Sequence, residues 1–230
     1  MDLTGKHPST RRSNYYILTY LDHFTKVAQA YPIPNKEAGT NCRVLVEEIF
    51  PRFEVPIQLF TDQGREFDNR LMKDLSEVYG IDKICTSAYR PSTNGATERL
   101  YTTLNSMLGK FITEAQRDWD TKVQGVMAAY RATVHDATGY SPNFIMFGRK
   151  LRAPINLVLG EPEEIQYANP DEFVEAVRLN QKEAHALARD HLGRRAERNK
   201  YSYDMRARPP NLRLAIECDI ITRGDMWDDC

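Results

Sequence analysis

"IQLFTDQGREF", residues 57–67, joins a short apolar run to a cluster of polar and charged residues. Ile57 to Phe60 have the composition of a buried strand, and the sequence Thr-Asp-Gln-Gly that follows ends it. Such a strand end can be an ordinary turn, because turns favour Asp and Gly. It can equally present the carboxylate of Asp62 to a ligand. The stretch alone leaves both interpretations open.

The segments around this strand predict a layered α/β domain. Aromatic and branched residues predict two strands joined as a hairpin, and apolar residues at helical spacing predict helices on either side of the 57–60 strand. The order is strand, strand, helix, strand, helix, strand, which is typical of a sheet with hairpin and crossover connections. The predicted ranges are strands 15–22, 27–33, 57–60 and 81–86, and helices 36–51 and 68–79, the last ended by Gly80.

The second half of the chain is predicted to be helical. Apolar residues recur at three- and four-residue steps over 96–115 and 119–133, and a long polar helix is expected from Pro170 to about Tyr203. Residues 189–213 contain eight Arg or Lys against three Asp or Glu. This excess indicates either a solvated helix and tail or a surface for DNA phosphates.

Composition limits the classes of protein that remain. The chain has 230 residues, 41% hydrophobic and 27% charged, which is enough for one sizeable core in a soluble protein. No long apolar run predicts a membrane span, so no membrane partner is expected, and no targeting signal is identified. The four cysteines and five histidines are scattered, which argues against a zinc finger. A net charge of -1 means that nucleic-acid binding must come from local patches.

A second acidic residue changes the interpretation of Asp62. "RPSTNGATERL", residues 90–100, is predicted to be a loop entering the long helix, with Asn94 as its N-cap and Glu98 near its start. Glu98 can simply complement the positive helix terminus. However, a helix packed across a sheet can place its first turn beside a strand end. Carboxylates brought together repel one another, so a pair at this point indicates a divalent-cation site of the kind used in phosphoryl transfer.

The chain resembles the integrase catalytic core of Ty3/gypsy LTR retrotransposons, relatives of retroviral integrases. Their signature is two aspartates and a glutamate; "TDQGREF" resembles the second-aspartate motif and "RPSTNGATERL" the glutamate motif. "AYRATVHDATGYSPNFIMFGRKLRAPI", residues 129–155, resembles the helix and loop that close the core. The resemblance implies an α/β, RNase H-like mixed five-stranded sheet flanked by helices over residues 1–160. A basic helical extension at 161–208 and a divergent tail at 209–230, expected to be a truncated C-terminal module, would follow.

The resemblance also implies the site residues. Asp2, in "MDLTG", together with Asp62 and Glu98 would be the catalytic residues and would bind two Mg²⁺ or Mn²⁺ ions. Asp22, at the end of the second strand, is the alternative first aspartate. Relatives often have asparagine where this chain has Tyr101. The residues implied in DNA contacts are Gln63, Gly64, Asn94, Gly95, Arg99, Tyr101 and Lys110.

The implied function is metal-dependent 3′-end processing and strand transfer, in which retrotransposon DNA is joined to target DNA. Double-stranded element and target DNA would be the substrates, the protein would self-associate, and it would act in the nucleus. The first strand is expected to lack its N-terminal half. One alternative is therefore a catalytically impaired integrase fragment that retains its fold and DNA binding. Another is a different RNase H-like nuclease or a transposase.

Overall fold

The structure, a computed structural model, describes residues 1–85, 91–111, 117–151 and 169–206, apart from the side chains of 91–96, 98 and 206. Five strands lie in this part of the chain. An antiparallel sheet has the order β1-β2-β3, and a separate parallel pair is formed by β4 and β5. The strands are β1 (Asp2–Thr4), β2 (Tyr16–Leu21), β3 (Ala28–Ile33), β4 (Gln58–Thr61) and β5 (Asp82–Cys85).

The helices of the described residues fall into two groups along the chain. The first group lies among the strands, and the second follows them. The first comprises α1 (Ala38–Val44), which continues through a π-helical turn (Leu45–Ile49) into α2 (Phe50–Phe53), and α3 (Arg70–Tyr79). The second comprises α4 (Pro91–Gly109), α5 (Trp119–Ala132), α6 (Pro142–Phe147) and α7 (Pro170–Arg206).

The three-stranded sheet separates two hydrophobic clusters. Successive side chains of a strand point to opposite faces, and on β2 both faces are apolar. Ile17 belongs to the cluster with α4 and α5, whereas its neighbour Leu18 belongs to the cluster with α1, α2 and α3. Both side chains are fully buried. The sheet is therefore the middle layer of three.

Side chains of α5 cover the outer edge of β3. Gln124 Nε2 donates to the Ala30 carbonyl at 2.8 Å, and Arg131 Nη1 donates to the Ala28 carbonyl at 3.0 Å. These bonds satisfy backbone acceptors that an edge strand would otherwise expose. Helix α5 is thus fixed to the sheet by directional contacts as well as by apolar packing.

The first part of α7 is bonded to the end of α6. Gln181 Nε2 donates to the Met146 carbonyl at 2.7 Å, and His185 Nε2 donates to the Ile145 carbonyl at 2.9 Å. Gly148, which has a φ of 66°, ends α6 and lies against α7. The carbonyl groups at the end of α6 have no partner within that helix, so α7 supplies their donors.

The α/β class predicted from the sequence is confirmed, and one detail of the sheet is corrected. The five strands hydrogen-bond as three plus two rather than as one sheet. The ammonium group of Met1 donates to the Phe60 carbonyl at 2.7 Å and so links the start of β1 to β4. Because β1 has only three residues, it offers little backbone for a continuous ladder with β4.

Most predicted helices and strands are confirmed, including the 15–33 hairpin and the stop at Gly80, whose φ is 66°. Helix α4 differs at both ends. It begins at Pro91, so residues 91–95 are helical and Asn94 is not its N-cap, and it ends at Gly109 rather than at 115. Proline at a first helical position explains the early start, because the N–H that it lacks has no partner there anyway.

Two units divide the chain, residues 1–189 and 190–230. The predicted domain boundaries at 160 and 208 stay predictions, since 152–168 and the tail 209–230 lie outside the described residues. Helix α7 contributes residues to both units. Within the described part of the chain, no helix combines the length and apolar composition needed to cross a membrane.

Candidate active site

Asp2 is held at the start of β1 by backbone contacts on two sides. It pairs with Thr19 of β2 in the antiparallel register, and the preceding residue, Met1, bonds to Phe60 of β4. Its Oδ1 accepts a hydrogen bond from the Leu3 N–H at 2.7 Å. The carboxylate therefore lies where the two sheets approach each other.

Asp62 directly follows β4 and forms the turn that the sequence predicts. Its Oδ1 accepts the Gly64 N–H at 3.1 Å, and the Gly64 carbonyl accepts the N–H groups of Phe67 and Asp68 at 2.8 Å. A Cβ at Gly64 would lie 2.8 Å from the Glu66 carboxyl group and 3.0 Å from Asp62 Oδ1. A larger residue at position 64 would therefore require the Glu66 side chain to shift.

The charge of Asp62 reaches the carboxyl group of Asp2. Burial raises the pKa of the Asp2 carboxyl, the Leu3 N–H lowers it, and the negative charge of Asp62 raises it again. Burial lowers the pKa of the Met1 ammonium group to about 6, against the charges of Asp2 and Asp62, which both raise it. The two acids therefore create a negative potential that favours a cation.

Glu98 lies on α4, and its side chain is outside the described residues. Its backbone is three residues before Tyr101, which places the two positions on neighbouring parts of one helix face. Tyr101 in turn lies beside Asp2, whose charge helps to raise the pKa of the tyrosine. The helix that carries Glu98 thus passes the two aspartates, while the predicted three-carboxylate site stays a prediction.

A hydroxyl pair lies next to Asp2. Thr19 Oγ1 is 2.9 Å from Tyr101 Oη and 3.2 Å from the Asp2 carbonyl oxygen. Burial is the main cause that raises the pKa of Tyr101, which keeps its phenol protonated. The neighbouring phenol of Tyr101 lowers the pKa of the Asp2 carboxyl.

Asp22, the alternative first aspartate, has local partners. Its Oδ2 accepts hydrogen bonds from the Thr25 N–H at 2.7 Å and the Thr25 hydroxyl at 2.5 Å. Its own N–H donates to the Val27 carbonyl at 2.8 Å. These contacts close the β2–β3 hairpin, which gives the carboxylate a structural role.

The residues predicted to contact DNA occupy different surroundings. Gln63 is exposed beside Asp62, and Arg99 and Lys110 are exposed on or just after α4. From the helical rise, Lys110 is about 18 Å along the helix axis from Glu98. The side chain of Asn94 is not described and Gly95 has none; both lie in the first turns of α4. The DNA contacts, including that of Tyr101, stay predictions.

Comparison with known proteins identifies this arrangement. Residues 1–91, which include β1 to β5 and both aspartates, match the integrase core domain family. The chain contains an integrase core. The chain is homologous to retroviral and retrotransposon Pol polyproteins.

Two relatives show how far the similarity extends. The Retrovirus-related Pol polyprotein from transposon 412 of Drosophila melanogaster is 27% identical over 226 residues, covering 98% of the chain and 18% of the relative. The Pol polyprotein of Radiation murine leukemia virus (strain Kaplan) is 33% identical over 157 residues, covering 67% and 26%. The transposon relative is consistent with the predicted Ty3/gypsy assignment. The integrase chain spans no more than about a quarter of either polyprotein.

Solved structures confirm the fold. A chain of a simian T-cell lymphotropic virus intasome, in complex with PP2A regulatory subunit B56 gamma, superposes with a TM-score of 0.54. It is 14% identical, and the match covers 74% of this chain and 57% of the other. The HTLV-2 integrase catalytic core domain in complex with magnesium has a TM-score of 0.50 at 13% identity, covering 61% and 90%. The integrase core described above therefore has the fold of retroviral catalytic cores.

The described side chains suit a hard divalent cation. Asp2 and Asp62 offer carboxylate oxygens, the ligands that Mg²⁺ and Mn²⁺ prefer, in a region of negative potential. Among the described side chains, no three His, Cys, Asp or Glu residues form a metal-binding group. The two aspartates would be part of such a site, whose third predicted ligand is Glu98; the site stays a prediction.

Sequence reasoning did not find the role of Thr19 or of the Met1–Phe60 contact. Thr19 is a buried polar residue, 1% exposed, in an otherwise apolar strand. That pattern was the available signal, since a buried hydroxyl needs a partner. No sequence pattern indicated that the partner would lie on α4.

Proposed function

We propose that this integrase core catalyses cation-dependent 3′-end processing of element DNA, followed by transfer of the processed 3′ end to target DNA. One observation carries the proposal: Asp2 on β1 and Asp62 just after β4 lie within electrostatic reach of each other beside the helix that bears Glu98. Retroviral and transposon Pol polyproteins among the relatives support it, as does a core domain solved with magnesium.

Asp2, Asp62 and Glu98 would hold Mg²⁺ or Mn²⁺, and two ions are expected. When bound, such ions supply an activated oxygen nucleophile and stabilise the leaving oxygen in phosphoryl transfer. The chain's own part is to position the acids. Asp62 is fixed by its bond to the Gly64 N–H, and the β1–β2 register places the backbone of Asp2. No covalent enzyme intermediate is required, so no nucleophilic side chain is assigned.

DNA would approach along the exposed side of the Asp62 turn and α4. Gln63 extends from the turn, and Gly64 lets a phosphate backbone come close because it has no side chain. Arg99 and Lys110 are exposed cations on the same helix as Glu98 or just beyond its end. Element ends and target DNA would be bound by a multimer acting in the nucleus.

The test is a strand-transfer assay on labelled terminal-repeat DNA with Mg²⁺ or Mn²⁺. Asp62→Asn and Glu98→Gln should reduce processing and joining to background, because each removes one carboxylate charge while keeping the side chain's shape. Asp22→Asn is the matched control and should retain activity, since an amide oxygen can still accept the Thr25 bonds. Activity that survives both Asp62→Asn and Glu98→Gln would refute the site.

A further inference from the structure

The hydroxyl pair beside Asp2 contains two groups to which the proposed chemistry gives no role. Thr19 is buried in the middle of β2, directly opposite Asp2 in the strand register. Its Oγ1 is 2.9 Å from Tyr101 Oη on α4 and 3.2 Å from the backbone oxygen of Asp2. Strand β1, strand β2 and helix α4 therefore meet at one pair of hydroxyl groups.

We propose that Tyr101, oriented by Thr19, is a positioning residue that fixes the carboxylate of Asp2 for cation binding. This inference rests on the proposed function, because it assigns Asp2 as a ligand. Neither hydroxyl needs to touch substrate or cation. Their effect is exerted through the position of the Asp2 side chain.

The direction of the hydrogen bonds follows from the shorter contact. Each hydroxyl has one proton to donate. Thr19 Oγ1 is closer to Tyr101 Oη, at 2.9 Å, than to the Asp2 carbonyl oxygen, at 3.2 Å, so we assign the Thr19 proton to Tyr101, which leaves the phenolic proton of Tyr101 for another acceptor. The Asp2 carboxylate is beside it and accepts only. Thr19 thus links Tyr101 to the backbone of Asp2, and the phenol of Tyr101 lies beside the Asp2 carboxylate.

Asp2 needs such support more than Asp62 does. The Asp62 carboxylate is fixed by a turn that begins at its own residue. Asp2 lies on a strand of three residues, and its only described local side-chain bond is to the next N–H, Leu3. Outer hydrogen bonds that orient a ligating group usually contribute about 10- to 100-fold in metal affinity or activity. The position of Tyr101, three residues after Glu98, couples both predicted ligands to one helix.

The experiment compares Tyr101→Phe with Tyr130→Phe in the full chain. Both remove one hydroxyl from a largely buried tyrosine, but Tyr130 lies on α5 against His135. Tyr101→Phe should raise the Mg²⁺ concentration that half-saturates strand transfer about 10-fold or more. The substitution should also raise, to a similar extent, the Mg²⁺ concentration that gives half of the Mg²⁺-dependent increase in melting temperature. Tyr130→Phe should change neither value.

Substitutions at Thr19 test the same contacts from their other end. Thr19→Val removes the donor to Tyr101 at nearly constant volume and should raise the Mg²⁺ requirement in the same direction. Thr19→Ser keeps the hydroxyl and should restore a near wild-type value. If the role of Thr19 were merely structural, Thr19→Val and Thr19→Ser would both lower the melting temperature measured without cation. The Mg²⁺ midpoint, which is the Mg²⁺ concentration that half-saturates strand transfer, would then stay unchanged.

The outcomes separate this inference from the proposed function. If wild type is active and Tyr101→Phe has the same Mg²⁺ midpoint as Tyr130→Phe, the positioning role is refuted and the proposed function stands. If wild type shows neither strand transfer nor a Mg²⁺-dependent melting shift, the cation site itself is refuted, and the role of Tyr101 falls with it.

Discussion

Replacing Gly148 with alanine should loosen the contact between α6 and α7. The residue has a φ of 66°, and a Cβ there would lie 2.6 Å from the Val177 carbonyl oxygen and 2.7 Å from Gln181 Cγ. The Val177 atom belongs to the backbone of α7 and cannot move alone. The helix must therefore shift, which stretches the bonds from Gln181 to Met146 and from His185 to Ile145.

The cost can be estimated from these contacts. Alanine in the left-handed region costs about 1–2 kcal/mol. Each lost hydrogen bond adds roughly 1 kcal/mol, which brings the total for Gly148→Ala to about 3–4 kcal/mol. Gly80 provides the matched control, because its φ is also 66° but its Cβ would meet nothing within 4 Å. Gly80→Ala should cost only the conformational part.

Thermal unfolding of the two variants measures the difference. At roughly 2–4 °C per kcal/mol for a protein of this size, Gly148→Ala should melt about 4–8 °C below Gly80→Ala. The conformational strain is common to both, so the difference reports the contact with α7. Equal melting temperatures would show that α7 is not held against Gly148, and the packing argument would fail.

Two further predictions concern the loop that precedes β2. Asp120→Ala should cost about 2–4 kcal/mol in urea unfolding, because the buried carboxylate accepts hydrogen bonds from Thr10 and Asn14 at 2.9 and 3.0 Å, and both donors would lose their partner. Asp74 is an exposed acid, and the control Asp74→Ala should have a free energy of unfolding near that of wild type. Equal losses of free energy in Asp120→Ala and Asp74→Ala would contradict this account. Burial lowers the pKa of His7, so below about pH 7 the unfolded chain takes up a proton more readily than the folded chain. The free energy of unfolding therefore decreases as the pH is lowered. His7→Phe should flatten the decline in melting temperature between about pH 7 and 5, whereas an unchanged slope would exclude His7 as a cause.

The elements that the sequence predicts well are those with strong local signals. The 15–33 hairpin is rich in branched and aromatic residues, and α3 ends at a glycine whose left-handed conformation is confirmed. The start of α4 was wrong because Ser, Thr, Asn and Gly at 92–95 are typical of a loop. Pro91 instead occupies the first position of the helix, where its fixed φ is favourable.

The two aspartates were predicted from motifs, but their surroundings were not. The turn after β4 could be read locally, since Asp62 and Gly64 are two residues apart. The bond between Met1 and Phe60 spans 59 positions, and that between Thr19 and Tyr101 spans 82. Such contacts depend on the packing of whole elements, which no local pattern specifies.

This difference in support has a consequence for how the site responds to substitution. The position of the Asp62 carboxylate depends on residues within its own turn, so substitutions elsewhere in the core should have little effect on it. Asp2 depends on β2, β4 and α4 together, because it pairs with β2, the preceding residue bonds to β4, and Tyr101 of α4 lies beside its carboxylate. Changes that remove the hydroxyl of Thr19 or Tyr101 should therefore alter the cation requirement before they alter the fold. Substitutions around Asp2 and substitutions around Asp62 should therefore differ in their effect on the Mg²⁺ midpoint rather than on the melting temperature.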